Sequence, residues 1–167
     1  MAVPSLALPK SPWTKAFGAI VAILETDPAL KAAGVIVRSM RGNGEDVAAI
    51  PTFPMIALTP QSRGSSWATE GMHEIPLGIQ IDLFIRGTCV DDLMNLGYAV
   101  LTALYPANGS ARETVVSQLT SREGAGVVIQ QITVTGAPLT PIAGDDPVPH
   151  LTATGELTLL IWVSTGE

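Results

Sequence analysis

Charged residues are scarce in this chain. Asp, Glu, Lys and Arg make up 14% of the 167 residues, whereas about 25% is usual in globular proteins. Two explanations stay open. The chain is either a compact domain whose surface is built from Ser, Thr, Gly and Pro, or a subunit whose surface is largely covered by other subunits, since the centres of protein interfaces are depleted of charge.

Positive charge is the scarcer sign. The nine Lys and Arg are outnumbered by fifteen Asp and Glu, which gives a net charge of −6, and no Lys follows Lys31. The sequence has no basic stripe that would neutralise phosphates, so tight binding of nucleic acid is disfavoured. An acidic wall past which DNA slides without adhering is compatible with this balance.

Cysteine, a secretory leader and long apolar runs are also lacking. Cys89 is the single cysteine, so a disulfide or a cysteine-based zinc site within one chain is excluded, and a reducing compartment is expected. Residues 1–10 carry no cationic leader and are interrupted by Pro4 and Pro9, which makes a poor signal peptide. The longest apolar runs fall short of the roughly 20 residues that span a bilayer.

The most regular segment is an alternating strand that leads, after a few residues, into an apolar helix. Side chains alternate across a strand, so this pattern predicts a strand over residues 74–86 with one buried and one polar face. The apolar set is Ile75, Leu77, Ile79, Ile81, Leu83 and Ile85, and the polar set is Glu74, Gln80, Asp82 and Arg86. The helix is predicted from about Cys89 to Leu104, with Thr88 and Asp91 resembling a capping box.

Other elements follow from caps, breakers and periodicity. Ser11-Pro12 begins a helix, and a short helical turn after Asp27 ends at Gly34. Further strands are predicted at 35–40, 54–59, 127–135 and 151–163. Residues 60–72 and 136–149 are predicted as loops, and 111–126 fits either a short helix or an edge strand.

This order of elements predicts an α+β fold. We expect a single, mainly antiparallel β-sheet of about five strands with two main helices packed on one face. Residues 1–10 are expected to form an N-terminal arm, and residues 11–167 a single α+β domain.

Sequence signatures of catalysis are missing. The chain contains no HExxH, GxSxG or Walker sequence. His73 and His150 each precede a predicted strand, and together with Glu74 they would form a metal site if those strands brought them together. Cys89 has no His near it in sequence to activate it as a nucleophile. The sequence therefore predicts no catalytic residue, no cofactor and no metal ligand, and hence no enzyme.

Candidate interface residues lie in the arm, in the predicted loops and on the polar strand face. Trp and Arg are enriched at interface hot spots, although Trp67 would equally fold back onto its own core, and the arm would either reach a neighbour or fray. The loop and arm candidates are Arg63, Trp67, Met72, Leu6, Leu8, Asp145 and Asp146. The strand-face candidates, for a lumen or a subunit contact, are Gln80, Asp82, Glu156 and Thr158.

The chain resembles a phage protein family in the order of its segments. A short arm precedes WTKAFGAIVAILETDPAL, then FPMIALTP, then EIPLGIQIDLFIRG leading into DDLMNLGYAVLTALYP, and finally ATGELTLLIWV. This order and hydrophobic pattern, from about Trp13 to Val163, resemble the tail terminator (tail completion) proteins of long-tailed bacteriophages and their minor tail or neck relatives. The Pro-rich segment 136–149 is longer than the resemblance leads us to expect.

The resemblance implies a structural virion protein of the tail or neck. Such a protein forms a hexameric ring that caps the finished tail tube and joins the tail to the head–tail connector, without catalytic residues. The implied partners are other copies of the chain, the tail tube protein and the connector or stopper protein. Genomic DNA would pass without specific binding, no membrane is implied, and assembly would occur in the host cytoplasm.

Two alternatives stay open beside this expectation. In the first, the chain is another neck component, such as a stopper, adaptor or head–tail joining protein. In the second, the chain is a small ligand-binding α+β domain that uses His73, His150 and Glu74.

Overall fold

The structure, a computed structural model, describes most of the chain. The described residues are 7–39, 53–62, 66–69, 72–87, 89–106, 109–123, 128–135, 142–143 and 150–164. In these ranges the helices are α1 (Pro12–Thr26), α2 (Pro28–Ala32), α3 (Val90–Leu104) and α4 (Ala111–Glu123). The strands are β1 (Ile36–Ser39), β2 (Met55–Ser62), β3 (Ser66–Thr69), β4 (Met72–Arg86), β5 (Val128–Thr135), β6 (Ile142–Ala143) and β7 (His150–Ser164). The predicted α+β class is confirmed.

The strands form one mixed sheet. Its main path runs β1-β2-β4-β7-β5, while β3 pairs with β4 and β6 pairs with β7. Strands β1 and β2 are parallel, and the other pairs are antiparallel. The longest pairing joins β4 and β7, from Met72 opposite Ser164 to Arg86 opposite His150.

This sheet differs from the predicted one in two respects. The prediction missed the parallel pair β1–β2, because the direction in which a short strand pairs is not encoded in its own apolar pattern. It also missed two short strands. Strand β3 lies in the Ser- and Gly-rich segment expected to be a loop, and β6 lies in the Pro-rich one. Pairing with a longer neighbouring strand supplies backbone hydrogen bonds that compensate for weak local strand propensity.

One face of the sheet and the inner sides of the four described helices make a single hydrophobic core. The five described members of the predicted apolar set of β4 are each at most 5% exposed, which confirms the predicted buried face from residue 77 to 85. The other core residues include Ile56 and Leu58 of β2, Phe17, Ile20 and Leu24 of α1, Leu93, Leu96, Val100 and Leu104 of α3, and Val115 and Leu119 of α4.

The first helices begin and end as their sequence predicts. The Ser11 hydroxyl accepts a hydrogen bond from the Thr14 amide at 3.1 Å, with proline as the next residue. The Asp27 carboxylate accepts from the Leu30 amide at 2.9 Å and starts α2. Gly34 has a φ of 70°, a conformation that favours glycine, and it turns the chain from α2 into β1.

Helix α3 lies where the sequence predicts it, but its cap and the presence of α4 differ from the prediction. Cys89 is the N-cap of α3 and gives no side-chain cap, while Thr88 lies outside the described residues. The capping box belongs instead to α4, where Glu113 N–H donates to the Ser110 hydroxyl and Ser110 N–H donates to the Glu113 carboxylate, both at 3.1 Å. The prediction of two main helices was therefore wrong, because this S-x-x-E pattern starts a third long helix at 111–123.

None of the helices in the described ranges is both long and apolar enough to cross a membrane.

Candidate functional site

The second face of the sheet carries a patch of polar side chains. Register places Asp82 of β4 between Ala57 of β2 and Thr154 of β7. The next residue on the same side of β4, Gln80, lies between Thr59 and Glu156, and Gly78 lies between Gln61 and Thr158. Because all three strands contribute to it, this patch forms only when the sheet assembles.

Four of these side chains form a continuous hydrogen-bonded chain across three strands, which we call the polar ladder: Gln61, Gln80, Asp82 and Thr154. The Gln61 amide donates to Gln80 Oε1 at 2.7 Å. The Gln80 amide in turn donates to both carboxylate oxygens of Asp82, at 3.1 and 2.9 Å. The Thr154 hydroxyl completes the ladder by donating to Asp82 Oδ1 at 2.6 Å.

The ladder orients one carboxylate on the second face of the sheet. Asp82 is half-buried and Thr154 is exposed, and the three bonds to Asp82 come from neutral donors. Arg38 of β1 lies in register with Ala57, two strands from Asp82, which is about 10 Å between backbones. This arrangement presents acceptor groups to an incoming donor, such as a backbone N–H or a Lys or Arg side chain.

Of the predicted strand-face residues, Gln80 and Asp82 are brought together in the ladder. Thr158 is half-buried and lies opposite Gly78. Glu156 is the register partner of Gln80, and its side chain lies outside the described part. The site prediction missed Gln61 because the predicted strand ends at residue 59, before Pro60. In the structure, β2 continues to Ser62.

The loop candidates lie in strands where they are described. Trp67 of β3 is opposite His73, and Met72 begins β4 opposite Thr69 and Ser164. The side chains of Trp67 and Met72 are outside the described part, as is all of Arg63. The predicted polar loop at 60–72 was therefore wrong where it is described, because β2 and β3 both occupy it.

Of the candidates in the N-terminal arm and in the predicted loop at 136–149, the structure describes Leu8 alone. Leu8 is 73% exposed, and Leu6 lies outside the described residues. Asp145 and Asp146 also lie outside them.

The two histidines do not form a site. Their strands pair, as the metal hypothesis required, but the pairing is antiparallel: His73 is opposite Val163, and His150 is opposite Arg86. The histidines therefore lie about 43 Å apart along the sheet, at 3.3 Å per residue. Within the ranges that the structure describes, no group of three or more His, Cys, Asp or Glu is placed to hold a metal ion.

A half-open cavity of about 400 Å³ lies beside α2 and α3. This volume falls in the range of small-molecule sites, roughly 300–1,000 Å³. Its lining is mostly apolar, with three polar residues, and the sequence did not predict it because its walls come from four separate segments of the chain. The lining includes Leu30, Val35, Phe53, Leu96 and Ala99, and the polar residues are Arg86, Asp92 and Asn95.

Comparison with known proteins adds no family to these observations. Neither a scan against models of protein families nor a search of curated proteins finds a match to this chain. Function is therefore inferred from the order of elements, the polar ladder and the charge balance.

Proposed function

We propose that this chain is a structural virion protein of a long-tailed bacteriophage, a tail terminator. In this proposal six copies form a ring that caps the tail tube, ends its growth and joins the tail to the head–tail connector. The observation that carries the proposal is the order of elements. An opening helix is followed by a long strand that leads directly into a second long helix, and a closing strand pairs with the long strand over its full length.

The two-sided sheet supports this role. The helices of the described ranges share a core with one face, and the other face carries the polar ladder. A ring needs two different surfaces that meet head to tail and close by rotation. The ends of the main strand path, β1 and β5, are the strand edges on which such pairing commonly occurs.

The electrostatic balance supports passage of DNA through such a ring. The net charge of −6 repels phosphate, and the ladder centres on a carboxylate rather than on a cation. If the ladder faces the lumen, DNA passes without being held. If it faces a neighbouring subunit, its acceptors bind that subunit's donors.

The first experiment measures the mass of the full chain by light scattering, alone and with purified tail tubes, followed by electron microscopy of the mixture. We expect hexamers, either free in solution or induced by the tubes, seated on tube ends. A chain that stays monomeric in both conditions and leaves tube ends bare contradicts the proposal.

The second experiment separates a terminator from another neck component. Phage lacking the protein should produce tails of uncontrolled length, and labelled protein should lie at the head-proximal end of the tail tube. Tails of normal length, with the label on the connector, would indicate a stopper or adaptor instead.

The variant Asp82→Lys distinguishes the two uses of the ladder. If the ladder lines the lumen, rings form and the added cations make DNA retention dependent on salt. If the ladder is a subunit contact, rings fail to form. The matched control is Glu25→Lys, which makes the same change of charge at an exposed position of α1.

The cavity beside α2 favours one second candidate, the binding of a small apolar molecule. Replacing the half-buried Ala99 by Phe would fill part of it. Tail assembly that survives this change shows that the cavity is dispensable for the structural role, whereas a small molecule that copurifies with the native chain and is lost from Ala99→Phe favours ligand binding.

A further inference from the structure

Helix α3 has two separate apolar rows. The inner row is buried in the core: Leu93, Leu96, Val100 and Leu104. The second row, which we call the outer stripe, is exposed and ends at the C-cap residue Tyr105: Val90 43%, Met94 52%, Tyr98 70%, Leu101 42% and Tyr105 38%. At about 100° per residue the outer stripe occupies an arc of roughly 80°, rotated by about 115° from the inner row. It is therefore a distinct surface and not the margin of the core.

Single exposed apolar residues are ordinary, but a continuous row of them marks an interface. In the described part of the chain, five of the eight large apolar residues that are exposed lie on this one stripe. Tyr and Met, which make up three of the five, are enriched at protein interfaces. The outer stripe is therefore a docking surface.

The spacing of the stripe identifies a helix as its occupant. Met94, Tyr98, Leu101 and Tyr105 follow one another at steps of four, three and four residues. This is the a/d seam that packs against another helix. Among the described helices, α3 alone carries such an outward row, so a second copy offers α3 itself as the matching helix.

We propose that the outer stripe of α3 packs antiparallel against the same stripe of a second copy, about a two-fold axis. With this axis midway along the seam, Met94 faces Tyr105 of the second copy and Tyr98 faces Leu101 of the second copy. The contact is then self-complementary, as a two-fold interface requires. Each tyrosine ring meets an aliphatic or thioether side chain, and methionine sulfur packs favourably against aromatic rings.

Charge decides between antiparallel and parallel pairing. The first turn of α3 carries Asp91 and Asp92, and its last turn carries no basic residue. A parallel pair would place four of these carboxylates together at one end, in a protein already at −6. The antiparallel pair separates them and also opposes the two helix dipoles.

The size of the stripe sets the expected strength of the contact. From the fractional exposures, and with 150–250 Å² for a buried aromatic side chain, the stripe offers on the order of 500 Å² per copy. A standard interface buries about 800 Å² per partner. The pair is therefore expected to depend on protein concentration rather than to be permanent.

This pairing does not rest on the proposed ring, since a two-fold contact differs from a head-to-tail one. The test is sedimentation of the full chain over a range of concentrations, for the native protein, Tyr98→Arg and Ser117→Arg. Ser117 is an exposed position in the middle of α4 and is the matched control. We expect the mass to double with concentration, from one copy to two or from six to twelve. Tyr98→Arg should weaken this doubling at least tenfold, and Ser117→Arg should change it less than twofold.

Other results overturn the pairing and leave the ring to be judged separately. A native chain whose mass does not double at any concentration excludes it, as does a doubling that Tyr98→Arg leaves unchanged. Six copies without doubling would support the ring and reject the two-fold contact. Because Tyr98 is 70% exposed, the arginine variant should melt at the native temperature when both proteins are measured below the concentration at which they pair, since association itself raises apparent stability. This comparison separates lost pairing from lost folding.

Disulfide trapping tests the orientation. In a Cys89→Ser background, one preparation carries Met94→Cys and another carries Tyr105→Cys. Antiparallel pairing predicts that the oxidised mixture forms a cross-linked heterodimer while neither preparation alone does so. Cross-linking within each single preparation would indicate parallel pairing. In the native chain, a disulfide between the two copies of Cys89 would indicate the same, because antiparallel pairing holds these residues about 30 Å apart along the helix axis.

Discussion

Neighbouring residues of β4 share one backbone yet belong to two different environments. Ile79 and Ile81 are 0% and 5% exposed and lie in the core beneath the helices. Gln80 and Asp82, between and beside them, are half-buried in the polar ladder. The period of two along a strand creates both faces, but different forces maintain them.

The difference lies in how much each face contributes to folding. Burying a large aliphatic side chain contributes about 1.5–3 kcal/mol. A half-exposed hydrogen bond adds a net of about 0.5–1.5 kcal/mol, since water competes for the same groups. The core face therefore stabilises the fold, and the polar face can be altered for recognition with little loss of stability.

The largest expected effect is on the core face. Ile79→Ala removes a fully buried side chain, and the cavity it leaves should lower the free energy of unfolding by about 2–5 kcal/mol. Urea denaturation at one fixed protein concentration measures this, because association also changes apparent stability. The graded control Ile79→Val should lose about 0.5–1.5 kcal/mol. A loss below about 1 kcal/mol for alanine would show that the two faces are not so different.

A smaller effect is expected in the polar ladder. Asp82→Asn and Thr154→Val each remove part of the hydrogen bond at 2.6 Å, and each should cost about 1 kcal/mol. Because the two side chains are in contact, the double variant should cost about 0.5–1 kcal/mol less than the sum of the single ones. Asp82→Asn combined with Thr120→Ala on α4 should be additive. Additivity in the ladder pair would mean that this hydrogen bond does not stabilise the folded protein.

The smallest expected effect is a gain on the core side. Gly155 lies in register with Ile81, and a Cβ added there meets no atom within 4 Å. Gly155→Ala should therefore raise the free energy of unfolding by about 0.4–1 kcal/mol, mainly by restricting the unfolded chain. The contrast is Gly34→Ala, which should destabilise because its φ of 70° is strained for any side chain. A loss at position 155 would show that the space opposite Ile81 is already filled.

Local chemistry made several features predictable from sequence. Alternation placed Ile79 and Asp82 on opposite faces of the strand. Ser11 marked the start of α1, and Gly34 marked the end of α2. Each of these rests on interactions within a few residues. The S-x-x-E pattern from Ser110 to Glu113 belongs to the same class, because its capping box starts α4 through contacts within four residues.

Long-range pairing decided the rest of the candidate site. The sequence predicted polar side chains on β4 and β7, but only the register joined Gln61, Gln80, Asp82 and Thr154 into one ladder. The same register separated His73 from His150, since the direction of pairing determines which strand ends meet. Periodicity alone does not show that Tyr98 of α3 stays exposed, because Tyr98 and Val100 both extend the apolar surface of the helix.

The sequence by itself determined the periodic elements, their caps and the apolar side of the long strand, because these depend on side-chain spacing and on contacts along the chain. The tertiary structure decided which strands are neighbours, in which direction they run and which apolar row of α3 stays exposed. Many pairings satisfy the same local pattern, and the packing of the whole core selects one of them.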